Sequence, residues 1–173
     1  CEIVAREIRA LGRKALPLRC HVGDWDDCSA LIDATIAEFG HIDVLVNNAG
    51  IAPVPPSLRE VTSELFDKTI AVNLRGPLRL TALAAEHMTE GGAVINISST
   101  ASLHPVPFTV VYAAAKAGLN ALTKAAAAEY GPRGIRVNAI VCGTFHTDSF
   151  HHGTPLEMQE QMAARVGLRR IAS

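Results

Sequence analysis

The sequence predicts an α/β protein in which a parallel β-sheet carries helices on both of its faces. Three observations support this fold class: amphipathic helical segments alternate with short apolar segments, the connections between them are short, and no repeat or low-complexity segment interrupts the order. Strands joined in this way are connected by right-handed crossovers, which gives a doubly wound parallel sheet. We expect residues 1–173 to form a single domain of this type.

The helices are predicted from apolar periodicity and from the residues that cap helix ends. Asp24 is placed to cap the second helix and Gly40 to end it, and Thr62 is placed to cap the third. The predicted helices are 1–11, 25–39, 62–88, 109–130 and 155–166.

The strands are predicted from short apolar segments bounded by turn residues. The segment 42–46 is apolar apart from Asp43, as is typical of a parallel strand covered on both faces. Three prolines in 51–59 predict a loop there. The predicted strands are 15–22, 42–46, 93–98 and 135–141.

Composition and charge exclude several classes of function. With 173 residues, 49% of them hydrophobic, the chain can bury a core, and a net charge of −1 gives no electrostatic basis for binding nucleic acid or an anionic membrane. Lys116, Lys124 and Glu129 interrupt the most alanine-rich region, so no membrane span is predicted. The first residues mix acids with bases, unlike a signal peptide. The cysteines show no metal spacing, which favours a reduced, cytoplasmic compartment, and they are Cys1, Cys20, Cys28 and Cys142.

The candidate chemistry centres on Tyr112 and Lys116, which lie four positions apart in a predicted helix. Residues at this spacing share one helix face, with about 5–6 Å between their Cβ atoms. A phenol has a reference pKa of about 10, and a neighbouring ammonium favours the phenolate. Ser99 follows an apolar strand thirteen positions before Tyr112. A strand end and a helix start converge at the carboxyl edge of a parallel sheet, where open α/β proteins bind ligands.

Further motifs accompany this pair in a specific order and spacing. They are Asn47-Asn48-Ala49-Gly50 after a strand, Asn73-Leu74-Arg75-Gly76 within a helix, and Ser98-Ser99 before Tyr112. Over essentially the whole chain, the combination resembles the short-chain dehydrogenase/reductase family. The resemblance implies a Rossmann-like fold and an NAD(P)-dependent oxidoreductase that moves a hydride between nicotinamide and a secondary alcohol or ketone.

The resemblance also implies catalytic roles. Ser99 would hydrogen-bond the substrate oxygen, with Ser98 turned into the fold, and Tyr112 would be the acid in reduction and the base in oxidation. Lys116 would tune the phenol and hold the nicotinamide ribose, and Asn73 would hold a water of the proton relay. The residues themselves support the last role, because Pro77 has no N–H to offer the carbonyl of Asn73.

The cofactor would be NAD or NADP, which the sequence does not distinguish. Three positions depart from the family pattern: His21 replaces an acid beside the adenine, Ser102 replaces a glycine of the substrate loop, and Cys142 replaces a proline of the nicotinamide turn. The implied cofactor-binding positions are Val22, Asn47, Asn48, Ala49, Gly50, Phe145 and Thr147, together with Tyr112 and Lys116.

Family members begin with a strand, a glycine-rich turn of the T-G-x-x-x-G-x-G type, a helix and a second strand. The 173 residues contain no such turn, start without Met in mid-helix and close without a final strand, so we expect a sheet that is incomplete at both ends. In the family's strand order, 15–22 and 42–46 would lie about 14 Å apart, separated by two strands. We therefore expect 15–22 to lack a partner or to pair with 42–46, and the isolated chain not to hold a dinucleotide.

Alternatives remain at this point. A non-catalytic fragment or scaffold competes with an enzyme, and 3-oxoacyl-carrier-protein reductase competes with sugar or polyol dehydrogenase. No basic cluster marks a site for an acidic carrier protein, which favours a small-molecule substrate. A metal site is not expected, although His146, His151 and His152 cluster in the tail.

We expect a homodimer or homotetramer formed through the helices 62–88 and 109–130, the family's usual interface. The second helix is small-sided, with Ala113, Ala114, Ala117, Ala121, Ala125 and Ala128.

Overall fold

The computed structural model describes residues 1–147, 150 and 155–172. Its contacts divide the chain into two compact units, Cys1–Ile140 and Val141–Ser173. The α-helices are α1 (Glu2–Ala10), α2 (Trp25–Phe39), α3 (Ser63–Ile70), α4 (Gly76–Glu86), α5 (Val110–Tyr130) and α6 (Leu156–Arg165). The strands are β1 (Val44–Asn47), β2 (Gly92–Ser99) and β3 (Ile135–Cys142), in the sheet order β1-β2-β3. Parallel pairing of β1 with β2 and flanking helices confirm the predicted α/β, Rossmann-like class.

Capping residues set the helix boundaries that the sequence predicted. The Asp24 side chain accepts hydrogen bonds of 2.9 Å from the backbone N–H groups of Asp26 and Asp27, and Gly40 ends α2 in a left-handed conformation. Thr62 accepts from the Leu65 N–H at 3.2 Å and caps α3. Within the described residues, no helix combines the length and the apolar character needed to cross a bilayer.

The predicted helix 62–88 contains a π-helical turn, Ala71–Arg75, between α3 and α4. In this turn the Gly76 N–H donates to the Ala71 carbonyl, five residues back. Pro77, in the first turn of α4, has no N–H and so cannot continue the α-helical pattern toward Asn73. Single π-turns of this kind recur at functional sites. The turn places Asn73, which is fully buried, at the junction.

A buried polar chain ties the sheet to the helices on one of its faces. Asn47 and Asn96 are register partners, and Asn47 Nδ2 donates to Asn96 Oδ1 at 2.8 Å. Asn47 also donates to Thr81 of α4 at 3.2 Å, and Asn96 donates to Thr123 of α5 at 2.9 Å. Because a register slip of one residue would turn every side chain to the other face, these bonds specify how β1 and β2 align. The apolar core around them contains Cys28, Ile32, Leu80, Ala84, Ala85, Met88, Val94, Ala126, Ile135 and Val137.

The segment 15–22 is not a strand, so the predicted strand boundaries are wrong there. The sheet consists of β1, β2 and β3 in the described residues, and the segment therefore has no ladder partner, the first of the two outcomes expected for it. Side chains hold its end instead. The Val22 carbonyl accepts from the Cys28 thiol at 3.3 Å, and Arg75 donates to the Gly23 carbonyl. A Cβ on Gly76 would lie 2.2 Å from the Val22 oxygen, so this close approach of α4 requires glycine.

Candidate active site

Tyr112 and Lys116 occupy one face of α5, as their spacing predicts. The Lys116 ammonium lies 5.8 Å from the centroid of the Tyr112 ring, within the range of a cation–π attraction. Lys116 is 4% exposed, and its Nζ donates a hydrogen bond of 2.7 Å to the Ile97 carbonyl of β2. A buried ammonium is stable only where such partners replace water. The pair is therefore held against the end of the central strand of the sheet.

The two serines at the end of β2 point to different surroundings. Ser98 is 2% exposed, and its hydroxyl lies 3.5 Å from the Lys116 carbonyl oxygen, so it faces the fold as the sequence suggested. Ser99 is half-buried, and its Oγ accepts a hydrogen bond of 3.2 Å from the Ala101 N–H. Alternation along a strand produces this opposite orientation. Ser99 is thus the serine that remains accessible at the strand end.

Gly50 lies where Asn73 and Lys116 meet. A Cβ built on Gly50 would be 3.0 Å from Asn73 Oδ1 and 3.6 Å from Lys116 Nζ. Asn73 is fixed there by three hydrogen bonds, because its Nδ2 donates to the Ile51 and Thr69 carbonyls at 2.9 Å each and its Oδ1 accepts from the Ile51 N–H at 3.3 Å. Glycine lets the backbone lie close to Asn73 and Lys116, and because Gly50 is exposed a ligand can approach the backbone there.

The Asn47–Gly50 motif divides into two parts. Asn47 is 5% exposed and uses its side chain within the sheet, whereas Asn48, Ala49 and Gly50 are exposed. The last three are therefore the members of the motif that can meet a cofactor through direct contact. The part played by Asn47 is to fix the strand that carries them.

The remaining predicted cofactor positions are Val22, Phe145 and Thr147. Val22 is half-buried against the core formed by α2 and α4. Phe145 and Thr147 belong to the unit Val141–Ser173, where Phe145 forms an isolated bridge with Ala172 and Thr147 Oγ1 accepts from the Phe150 N–H at 3.2 Å. The roles of all three stay predictions.

Three groups at the site were not assigned from the sequence: the Ile97 carbonyl, Ser102 and Asn120. The signal for Asn120 was available, because it follows Lys116 at the next i+4 position on α5. Ser102 was noted only as a departure from a glycine. The Ile97 contact depends on a backbone carbonyl, which sequence patterns do not mark.

No group of three or more His, Cys, Asp or Glu side chains in the described ranges (1–147, 150 and 155–172) could hold a metal ion. His146 lies in the described part, and His151 and His152 lie outside it.

A parallel sheet with a Tyr–Lys pair at the carboxyl end of its central strand defines a Rossmann-like α/β protein. The chain belongs to the short chain dehydrogenase family, whose sequence model matches residues 1–155. Its overall similarity to a crystal structure from Sinorhizobium meliloti, described as a short-chain alcohol dehydrogenase, has a TM-score of 0.91 at 32% identity. That match covers 99% of this chain and 69% of the other.

Two curated relatives illustrate the range of the family. L-rhamnose 1-dehydrogenase (NAD(P)(+)) of Azotobacter vinelandii is 39% identical over 172 residues, which cover 97% of this chain and 67% of the relative. A 3-oxoacyl-[acyl-carrier-protein] reductase of Staphylococcus aureus is 37% identical over 172 residues, which cover 98% of this chain and 69% of the relative. Across eight curated relatives, the chain spans 57% to 69% of their length.

Proposed function

We propose that this chain is the catalytic part of an NAD(P)-dependent oxidoreductase that interconverts a secondary alcohol and a ketone. One observation carries the proposal: the buried Lys116 ammonium donates to the Ile97 carbonyl, faces the Tyr112 ring and lies close to the exposed Gly50. A structural helix pair does not need a buried cation beside a phenol at the carboxyl edge of a sheet.

In this proposal the exposed residues 48–50 would contact the ribose and nicotinamide side of a dinucleotide, and Lys116, whose Nζ would lie 3.6 Å from a Cβ at Gly50, would donate to a ribose hydroxyl. When bound, the nicotinamide supplies the hydride acceptor or donor. The chain supplies the proton chemistry: Tyr112 gives a proton to the substrate oxygen in reduction and takes it in oxidation. Ser99 donates to the same oxygen and stabilises its negative charge.

Asn73 contributes to the proposed proton relay through its main-chain carbonyl. The amide of Asn73 uses both Nδ2 protons and one lone pair of Oδ1 on backbone partners, so it positions the loop at Ile51, and the main-chain carbonyl of Asn73 is the group that would hold the water of a proton relay. Pro77 has no N–H, so this carbonyl lacks the donor that a regular α-helix would supply. Asn73 thus connects the π-turn between α3 and α4 to the loop at Ile51.

The substrate loops favour a small molecule. In the loop before α5, the exposed side chains include Leu103, Val106 and Phe108, and His104 is the one titratable group among residues 103–108. An acidic carrier protein would be steered by a basic patch, whereas an apolar rim suits a small secondary alcohol with an apolar body, such as a cyclic alcohol. The second candidate, a 3-oxoacyl-carrier-protein reductase, is favoured by the Staphylococcus aureus relative.

A chimera provides the test. Residues 1–173 replace the matching segment of the Azotobacter vinelandii L-rhamnose 1-dehydrogenase, whose remaining residues supply the segments outside the match. The chimera is assayed with NAD and NADP against L-rhamnose, cyclic secondary alcohols and a 3-oxoacyl thioester. We expect oxidation of an alcohol; reduction of the thioester alone would select the second candidate, and no turnover by a folded, nucleotide-binding chimera would contradict the proposed function.

The non-catalytic alternative is separated by nucleotide binding. The 173 residues contain no glycine-rich phosphate-binding turn, so we expect the chain alone not to retain a dinucleotide and the chimera to bind it. Calorimetry with NADH and NADPH measures both proteins. Stoichiometric binding by the 173-residue chain would show that the turn is dispensable. Absence of binding by a folded chimera would favour a scaffold.

A further inference from the structure

A chain of hydrogen bonds connects α5 to the backbone of Ser99. Asn120 Nδ2 donates to Ser102 Oγ at 2.8 Å, and Ser102 Oγ donates to the Ser99 carbonyl at 2.5 Å. Asn120 lies one turn after Lys116 on α5, and Ser102 lies in the 3₁₀ turn Thr100–Ser102 that follows β2. These two hydrogen bonds therefore join α5, which carries Tyr112 and Lys116, to the end of β2, which carries Ser99.

The donors and acceptors of these two hydrogen bonds are defined. A serine hydroxyl has one proton. Ser102 donates this proton to the Ser99 carbonyl and accepts a hydrogen bond from Asn120. The amide nitrogen of Asn120 must face Ser102, because an oxygen in that place would compete for the same proton. The Asn120 Oδ1 is buried and has no hydrogen-bond partner in the described part of the chain. A buried acceptor without a partner is unfavourable, so a polar residue at this position requires a reason other than packing.

The Ser99 side chain completes the arrangement. Its Oγ accepts from the Ala101 N–H at 3.2 Å, so the hydroxyl proton is left to donate elsewhere. Two bonds thus fix Ser99, one at its carbonyl and one at its Oγ. Both partners, the Ala101 N–H and the Ser102 hydroxyl, belong to the turn Thr100–Ser102, so loosening of that turn would weaken both bonds.

We propose that Ser102 and Asn120 are positioning residues for Ser99, an inference that rests on the proposed function. Ser102 and Asn120 hold the Ser99 backbone through its carbonyl. The Ser99 hydroxyl proton then points to the substrate oxygen in the transition state. A preorganised donor stabilises developing charge without reorganisation during the reaction. At position 102 serine stands where the family pattern has glycine. The backbone at this position is therefore held by hydrogen bonds instead of being flexible.

Kinetics of the chimera test this role. Ser102→Ala removes both bonds, and Asn120→Asp offers a carboxylate that draws the Ser102 proton away from Ser99. For each we expect kcat to fall about 10- to 100-fold, with KM for the nucleotide unchanged. Ser102→Thr keeps the hydroxyl and should restore most of the rate. Thr35→Val, which removes a 2.7 Å bond to the Leu31 carbonyl on α2, is the matched control and should leave kcat unchanged.

A double-mutant cycle separates positioning from general structural damage. If Ser102 acts through Ser99, then Ser102→Ala should cause no further loss of kcat in a Ser99→Ala background. A full additional loss in that background would overturn the proposal. Equal losses in Ser102→Ala and Ser102→Thr would also overturn it.

Hydrogen exchange of the 173-residue chain gives a readout that does not need turnover. The Ala101 N–H should be protected in the unsubstituted chain and in Ser102→Thr, and should exchange at least about tenfold faster in Ser102→Ala, while amides of α2 keep their rates. Equal protection in all three proteins, or no protection of Ala101 in the unsubstituted chain, would overturn the proposal. Because this measurement is independent of catalysis, it decides the positioning role even if the chimera fails to turn over.

Discussion

Lys116 and Ile97 are joined by a hydrogen bond of 2.7 Å, from the ammonium on α5 to the carbonyl near the end of β2. The bond crosses from helix to strand, so the position of the cation follows the position of the sheet. Lys116 is 4% exposed, and its ammonium lies 5.8 Å from the centroid of the Tyr112 ring. The end of β2 thus fixes where the buried cation lies relative to Tyr112.

A methyl group on Gly50 should disturb this arrangement. In Gly50→Ala the new Cβ would meet Asn73 Oδ1 at 3.0 Å, and Asn73 cannot yield without losing its own hydrogen bonds. We expect the free energy of unfolding to fall by about 1 kcal/mol or more and nucleotide binding by the chimera to weaken. Gly131→Ala is the control, because its Cβ would meet no atom within 4 Å and its φ of −53° suits alanine. If the two substitutions had equal effects in urea unfolding and nucleotide titration, the predicted clash between a Cβ at position 50 and Asn73 Oδ1 would be contradicted.

Phe108 is held in a backbone conformation that costs energy. Its φ is +70°, in the left-handed region, and its side chain is 51% exposed. A left-handed L-residue costs about 1–2 kcal/mol, which glycine avoids at a smaller entropic cost. Phe108→Gly should therefore raise the free energy of unfolding by about 1 kcal/mol. Leu103→Gly, at an exposed residue with φ of −110°, should lower it, and a loss of stability in both variants by urea titration would refute the strain.

The Cys28 thiol should make stability depend on alkaline pH. Burial, followed by the neighbouring Cys20, raises the pKa of Cys28 from 9.0 to about 11. Between these values the folded chain keeps a proton that the unfolded chain has lost, so this contribution to stability is complete below pH 9.0 and disappears as the pH rises toward about 11. Urea unfolding across this range should show a steeper fall for the unsubstituted chain than for Cys28→Ala. Cys1→Ala, at an exposed thiol, should keep the steep fall; identical slopes in all three would contradict the assignment.

Self-association through α5 remains a prediction, and the structure changes its details. Ala113 is 5% exposed and does not belong to the outer face. The exposed alanines are Ala114, Ala117, Ala121, Ala125 and Ala128. Small side chains permit close helix approach, so the chimera should be a dimer or tetramer by light scattering, and Ala121→Glu should dissociate it. Ala37→Glu, on the exposed side of α2, should not. A monomeric chimera at micromolar concentration would reject this interface.

Local signals predicted much of the fold. The boundaries of α2 were correct because Asp24 and Gly40 cap it through contacts within a few residues. The strand at 15–22 was wrong for the opposite reason, because a strand is defined by a partner that lies far away in the sequence. The π-turn was predicted in part. Pro77 indicated that the helix is interrupted, but the geometry of the turn depends on packing around Asn73.

The site shows the same division. Tyr112 and Lys116 are recognised by a spacing within one helix, whereas the burial of Asn47 depends on its partner Asn96 in another strand. Ser102 and Asn120 lie eighteen positions apart and meet only because the turn after β2 folds onto α5. Sequence patterns report spacing within an element, and contacts between elements require the structure.

Hydride transfer by a Tyr112→Phe chimera decides whether the site works as proposed. Phenylalanine keeps the ring beside Lys116 and removes the hydroxyl that the proposed function uses as the acid and base. We expect the single-turnover rate to fall by about 10²- to 10⁴-fold, while nucleotide affinity in calorimetry stays largely intact. Lys116→Ala should reduce both rate and affinity. A near-normal rate in Tyr112→Phe would contradict the assignment of Tyr112 as the acid and base.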